Sequence, residues 1–349
     1  MSGASRYTEL REELAARPRR WLVTGAAGFI GSHLAEELLA LGQEVRGLDN
    51  FATGHTANLD DVRERAGAAA WRRFELIRGD VIHAGACVEA CRGADFVLHQ
   101  AALGSVPKSI DLPLDTHASN VTGTLNMLLA ARDAQVRRFV YASSSAVYGE
   151  DPELPKREAR LGAPLSPYAA SKRISEIYAE AFRNAYGTPA VGLRYFNVYG
   201  PRQDPAGAYA AVIPRWVDAL LRGEQPILYG DGATTRDFCH VANVVQANLL
   251  AAFAPESALG RVFNVALGQR TSLLQLYRAL RDGLARLGVP CAGVDPLRLP
   301  ARSGDVQHSV ADIGLAREQL GYAPGIGLEA GLDLTLRWYC GRAGKRQPA

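Results

Sequence analysis

The stretch "WLVTGAAGFIG", Trp21 to Gly31, restricts what this chain can fold into more than any other. A short apolar run ends at Thr24, and Gly25, Gly28 and Gly31 follow at intervals of three. The run reads as a buried strand, followed by a tight turn that opens a helix from Gly31 to about Leu41. The first glycine permits the turn, the second lets backbone approach a pyrophosphate, and the third lets helix pack on strand. A helix start placed there offers free N–H donors and a partial positive charge to phosphates. A second apolar run ends at Asp49. Its carboxylate can accept both ribose hydroxyls of an adenosine and would repel a 2′-phosphate, which favours NAD over NADP.

The pattern repeats along the chain. "FELIRGDV" and "DFVLHQAA" read as buried strands with the helical stretch "HAGACVEACRGA" between them. "TLNMLLAARDAQV" reads as a helix, "RRFVYASSS" as a strand, and "PAVGLRYFNVYG" as another strand. Strands alternating with helices imply a parallel sheet covered on both faces, an α/β doubly wound fold of Rossmann type. In that frame Asp80 suits the adenine edge with Val81 beside it, and Ala101 and Ala102 suit a strand end under the dinucleotide. Beyond Gly200 prolines and glycines become frequent and the alternation weakens. The expected organisation is a nucleotide-binding domain over 1–198, with an N-terminal helix ending near Pro18 and a return at about 238–266. A smaller mixed α/β lobe is expected over 199–237 and 267–341, and an unstructured tail over 342–349.

Bulk properties exclude several classes. A net charge of +3 over 349 residues gives no argument for nucleic acid or a membrane surface as partner. No apolar run approaches the ~20 residues of a membrane span. The first twenty residues are charged and lack the apolar core of a secretory signal. Cys87, Cys91, Cys239, Cys291 and Cys340 are too scattered for a disulfide framework, and no histidine completes a zinc set. They read as packing thiols in a reducing compartment. The expectation is a cytoplasmic protein with no metal.

"LSPYAASKRISE" holds the chemistry. Ser166 suits an N-cap, Pro167 the first helical position, and Gly187 a C-cap after Tyr186. Tyr168 and Lys172 then lie one turn apart on one face. A tyrosine that takes a proton near pH 7 needs its pKa lowered by ~3 units. An ammonium one turn away and a cationic nicotinamide have the right sign for that. "YASSSAVYG" offers Ser143, Ser144 and Ser145 at a strand end to pass or position the proton.

Together "TGAAGFIG", "SSSAVYG" and "YAASK" resemble the extended short-chain dehydrogenase/reductase superfamily. Within it, about Arg20 to Tyr339 resembles the UDP-hexose 4-epimerase family, the UDP-N-acetylglucosamine 4-epimerases in particular. The stretches "ALGSVPKSI", "GLRYFNVYGPRQDP", "GAYAAVIPRW" and "TRDFCHVANVVQANLLAA" carry that likeness. The resemblance implies Tyr168 as catalytic base, Lys172 as its partner and Ser144 as the catalytic hydroxyl. It adds Phe29, Ile30, Asn50, Gly54 and Tyr195 to the cofactor contacts. It implies reversible oxidation at sugar carbon 4, with NAD retained between turnovers. Dehydratases of the superfamily carry Asp-Glu after the catalytic threonine, whereas Ser145 and Ala146 stand there.

The resemblance also implies the substrate contacts. Arg236 and Arg302 match phosphate-binding arginines, whose forks suit phosphate geometry. Asn197 matches a pyrophosphate contact, Tyr229 the aromatic beside uracil, and Asp305 a ribose contact. Ala211 and Val212 match the uracil-facing segment, and Gly104, Ser105 and Ser145 sugar contacts. Ser309 falls at a gate beside the sugar 2-substituent, where a tyrosine would exclude an N-acetyl group. UDP-GlcNAc and UDP-GalNAc are the expected substrates. A UDP-glucose/UDP-galactose or UDP-hexuronate 4-epimerase is the alternative, with Lys108 or Ser105 able to meet a uronate charge. A non-catalytic NAD sensor is a third reading, set against the retained Ser144, Tyr168 and Lys172. A homodimer through "TLNMLLAARDAQ" and the Tyr168 helix is expected, using Ile174, Ile177, Ala181 and Phe182.

Overall fold

The computed structural model describes residues 5–206, 210–300 and 306–346, with side chains through 342. Its first part runs α1 (Arg6–Ala16), β1 (Arg20–Thr24), α2 (Phe29–Ala40), β2 (Glu44–Asp49), α3 (Thr56–Trp71), β3 (Phe74–Arg78), α4 (Ala84–Cys91) and β4 (Phe96–His99). Then come α5 (Val106–Asp111), α6 (Pro113–His117), α7 (Gly123–Asp133), β5 (Arg138–Ser144), α8 (Pro167–Tyr186), β6 (Ala190–Tyr195) and β7 (Val198–Tyr199). The rest comprises α9 (Val212–Leu221), β8 (Ile227–Tyr229), β9 (Thr235–Arg236), β10 (Cys239–His240), α10 (Val241–Ala252), β11 (Val262–Val265) and β12 (Thr271–Ser272). It closes with α11 (Leu273–Arg286), β13 (Leu297–Leu299), α12 (Gly314–Leu320) and α13 (Leu328–Arg346).

Seven of these strands form one parallel sheet in the order β11-β6-β5-β4-β1-β2-β3. Chain order reverses between β1 and β4, so the crevice where ligands bind in such sheets opens beyond Thr24 and His99. Trp21 stacks on Phe96 at 4.5 Å between ring centroids, with Phe253 beyond it. Helix α10 is buried on nearly all sides, as an apolar helix must be when it packs between layers. Outside this sheet three short pairs form: β7 with β10 and β8 with β13, both parallel, and β9 with β12, antiparallel. Among the described residues no helix is long and apolar enough to cross a membrane.

Several local expectations need correcting. Helix α2 begins at Phe29 rather than Gly31, because Gly28 takes the N-cap position. Strand β3, expected to be buried, is the sheet edge: it pairs only with β2, and Leu76 is 40% exposed. Phe182 lies inside the core rather than on an outer face of α8, whereas Ala181 and Ile177 are exposed. Helix α13 continues to Arg346, where an unstructured tail from residue 342 was expected. The cysteines are all free, and all but Cys340 are buried. Helix α1 is part of the core: Leu10 and Leu14 are buried, and the Gln43 amide donates to the Leu14 carbonyl at 2.7 Å.

Candidate active site

The turn between β1 and α2 shows why glycines occupy it. Gly25 has φ +69°, and a Cβ there would stand 3.0 Å from the Ala101 nitrogen. A Cβ on Gly31 would lie 2.0 Å from the Gly25 carbonyl oxygen, and one on Gly54 would lie 2.9 Å from the Ala27 carbonyl carbon. Backbone therefore meets backbone all round this cradle, and Gly28, Phe29 and Ile30 form its helical lip. Asp49 ends β2 buried, accepting from the Ala27 N–H at 2.8 Å and the Phe51 N–H at 2.7 Å. Each of its oxygens keeps a lone pair for a ribose hydroxyl. The Asn50 amide donates to Asp80 at 2.6 Å, and Val81 is buried beside it. Tyr195 is a core residue whose hydroxyl donates to Gln100 at 3.0 Å.

The strand end below the cradle is set by a histidine that sequence reasoning missed. Buried His99 pairs Nδ1 with the Thr24 hydroxyl at 2.8 Å and Nε2 with the Thr124 hydroxyl at 3.2 Å. Burial pushes its pKa down to about 3, so it stays neutral. Thr24 in turn accepts from the Ala101 N–H at 3.1 Å, which fixes the backbone leading to Ala102.

Helix α8 starts as its sequence dictates. Ser166 accepts from the Ala169 N–H, Pro167 opens the first turn, and Gly187 closes the helix in a left-handed conformation. Tyr168 and Ser144 come together: burial raises the phenol pKa, and a hydrogen bond with Ser144 works against that rise. The net direction is upward, not the lowering expected from a neighbouring lysine. Lys172 Nζ stands 6.0 Å from the Tyr168 ring centroid and donates to the Ala142 carbonyl at 2.9 Å. Burial brings the lysine itself down to about 8. The Tyr168 N–H donates to Ser109 Oγ at 3.0 Å, tying α8 to α5, whose N-cap is Ser105 beside exposed Gly104.

One turn beyond Lys172 lies a further missed residue. The Glu176 carboxylate accepts from Arg194 at 2.8 and 2.9 Å, from Ser143 at 2.6 Å and from Arg173 at 2.9 Å. Burial pushes its pKa up, but Arg194, Ser143 and Arg173 outweigh that and hold it below the usual carboxylate range. Arg194 reaches on to the Tyr148 hydroxyl at 3.1 Å, and Tyr148 donates to Asn264 at 2.6 Å. The four-residue spacing of Tyr168, Lys172 and Glu176 was the available signal.

A cavity of about 600 Å³ lies beside α9, β8 and β9. Asn197, Ala211, Val212, Tyr229 and Arg236 line it, which brings five expected substrate contacts together. Arg236 donates to the Thr235 and Gln307 carbonyls at 2.9 and 3.3 Å. Gln203, Arg215, Trp216 and His308 also line the cavity and were not singled out from sequence. Ser309 follows directly on this lining, its N–H donating to the Thr235 carbonyl at 3.1 Å. Ser145 begins a short 3₁₀ turn after β5. Arg302 and Asp305 lie outside the described residues.

A model of the NAD dependent epimerase/dehydratase family matches residues 21–266, from the first strand of the sheet to the end of the last. The chain belongs to that family. It is an NAD-dependent epimerase-family enzyme, and the glycine cradle with Asp49 fits the dinucleotide. Within the family it is 38% identical to a UDP-glucose 4-epimerase of Mycolicibacterium smegmatis, covering 92% of this chain and 98% of that one. Its fold is similar to a UDP-N-acetylglucosamine 4-epimerase from Methanobrevibacter ruminantium in complex with UDP-N-acetylmuramic acid. That likeness has TM-score 0.85 and 35% identity, covering 93% of this chain and 99% of the other. A UDP-glucose 4-epimerase of Thermus thermophilus in complex with NAD matches with TM-score 0.78 and 36% identity, over 92% and 99%.

Proposed function

We propose that this protein interconverts the carbon-4 epimers of a UDP-N-acetylhexosamine, UDP-GlcNAc and UDP-GalNAc. The broader activity, NAD-dependent 4-epimerisation of a UDP-sugar, is supported by the family and by the relatives named above. One observation carries the reading: Ser144, ending β5, lies close enough to the Tyr168 phenol to work against the rise in its pKa, with Lys172 a turn along the same helix. When bound, NAD supplies the two-electron acceptor and donor for carbon 4 and a cationic ring of the sign that acidifies a phenol. Tyr168 takes the 4-hydroxyl proton, directly or through Ser144, and returns it after the sugar has turned over. Buried Lys172 supplies an ammonium for the nicotinamide ribose and for the phenolate. Asp49 would hold the adenosine ribose of NAD, and the N–H groups at Phe29 and Ile30 would receive its pyrophosphate. Ser145 and Ala146, following Ser144, provide no acid to expel water, which speaks against dehydration.

Preference for an N-acetylated sugar rests on Ser309, a small side chain next to the cavity residues Gln307 and His308. A second reading, a UDP-hexuronate substrate, is favoured by Lys108. Its ammonium has no ion-pair partner among the described residues, and the adjoining Ser109 touches Tyr168. Incubation with UDP-Glc, UDP-Gal, UDP-GlcNAc, UDP-GalNAc and the corresponding uronates, scored for the 4-epimer, separates these readings. No epimer from any of them would overturn all of them. The same reading proposes a cytoplasmic homodimer serving surface polysaccharide synthesis. Its association through α7 and α8 is supported by exposed Ile177 and Ala181 on α8.

A further inference from the structure

We infer that Arg215, on the first turns of α9, is an additional ligand for the diphosphate of the nucleotide substrate. The inference rests on the UDP-sugar reading above. Arg215 lines the cavity, yet its guanidinium has no hydrogen-bond or ion-pair partner among the described residues. Arg236, the other arginine of the lining, already spends Nη1 on two backbone carbonyls. Asp231, the acidic residue of the lining, accepts from the Ala233 N–H at 2.8 Å and does not pair with Arg215.

Position strengthens the case. Helical side chains lean toward the N-terminus, so Arg215 runs back toward Ala211 and Val212, which line the same cavity. That is the positive end of α9, where first-turn N–H groups lack intrahelical partners and a cation is disfavoured. An anion in the cavity compensates the guanidinium and the helix end together. A second unmet group points to the rest of the ligand. Gln203 Oε1 is buried without a partner, while its amide nitrogen donates to the Val198 carbonyl at 3.1 Å. Gln203 also lines the cavity. It lacks a donor where Arg215 lacks an acceptor. A nucleoside diphosphate brings both, with phosphate oxygens for one and ribose hydroxyls or a base N–H for the other.

The test is calorimetric titration of the NAD-loaded protein with UDP, alongside inhibition by uridine. Arg215→Gln is expected to weaken UDP binding roughly 10- to 100-fold, the scale of a charged hydrogen bond. Uridine inhibition should shift far less, and NAD content and melting temperature should match wild type. Arg215→Lys should recover part of the loss, because a point charge replaces a fork. UDP affinity within twofold of wild type in Arg215→Gln would overturn the inference alone. So would an equal loss for uridine and UDP, which would place the arginine on the nucleoside. A wild-type protein that neither binds UDP nor forms any 4-epimer would overturn the inference together with the reading beneath it.

Discussion

Replacing Glu176 by glutamine tests whether the buried network under the catalytic helix holds α8 against the sheet. The Glu176 and Arg194 side chains are 3% and 1% exposed. Four hydrogen bonds converge on the carboxylate from three elements: Ser143 on β5, Arg194 on β6 and Arg173 on α8 itself. Glutamine keeps one acceptor oxygen and turns the other into an NH₂ that faces arginine N–H groups. Arg194 is then left as a buried charge without its counterion, and breaking a buried pair in this way costs about 3–5 kcal/mol. The sign with pH follows from the depressed pKa of Glu176. Its contribution is present above the unfolded value of about 4.3 and is lost as pH falls through the lower folded value. Urea unfolding followed by circular dichroism should therefore show the full deficit at pH 7 and at pH 5.5, shrinking only in more acid solution. A deficit under about 1 kcal/mol at pH 7 would refute the view that this network clamps the helix.

Three other outcomes follow from the site. Tyr168→Phe should keep NAD bound and lose a factor of about 10²–10⁴ in kcat, the usual scale of a lost acid–base group; an unchanged rate removes Tyr168 from the mechanism. Ser309→Tyr should lose turnover of UDP-GlcNAc and UDP-GalNAc while sparing UDP-Glc. Wild-type rates on the N-acetylated sugars would dispose of the gate. Lys172, brought down to about 8 by burial, is protonated below that pH and neutral above it. If its ammonium is needed, kcat should fall on the alkaline side of about pH 8 and Lys172→Met should abolish that limb. A flat profile between pH 7 and 9.5 would contradict the role.

The sheet was legible because its determinants are local. Alternating apolar strands and helices, the glycine spacing after Thr24, and the caps Ser166 and Gly187 act within a few residues of themselves. Residues that act across the fold were harder to read. His99 looks like one more strand residue until β1 and α7 place Thr24 and Thr124 on either side of its ring. Glu176 and Arg194 stand on successive elements, 18 residues apart, and meet only because α8 lies over β5 and β6. Strand β3 looked buried because periodicity reports apolar content and not the number of neighbouring strands. The direction of the Tyr168 pKa could not be read either, since it depends on the depth of the phenol and on where Lys172 sends its proton donors.

Helix α1 does more than precede the sheet. Leu10 and Leu14 plug the core, while Arg11 and Tyr7 both reach Glu37 on α2, at 2.9 and 3.2 Å. α2 is the helix whose first turn forms the lip of the glycine cradle. The amino-terminal segment is thus a brace for the nucleotide turn. Shortening the chain to the first strand would uncover apolar surface and loosen that turn at once, so fusion partners belong ahead of Arg6 and not in its place.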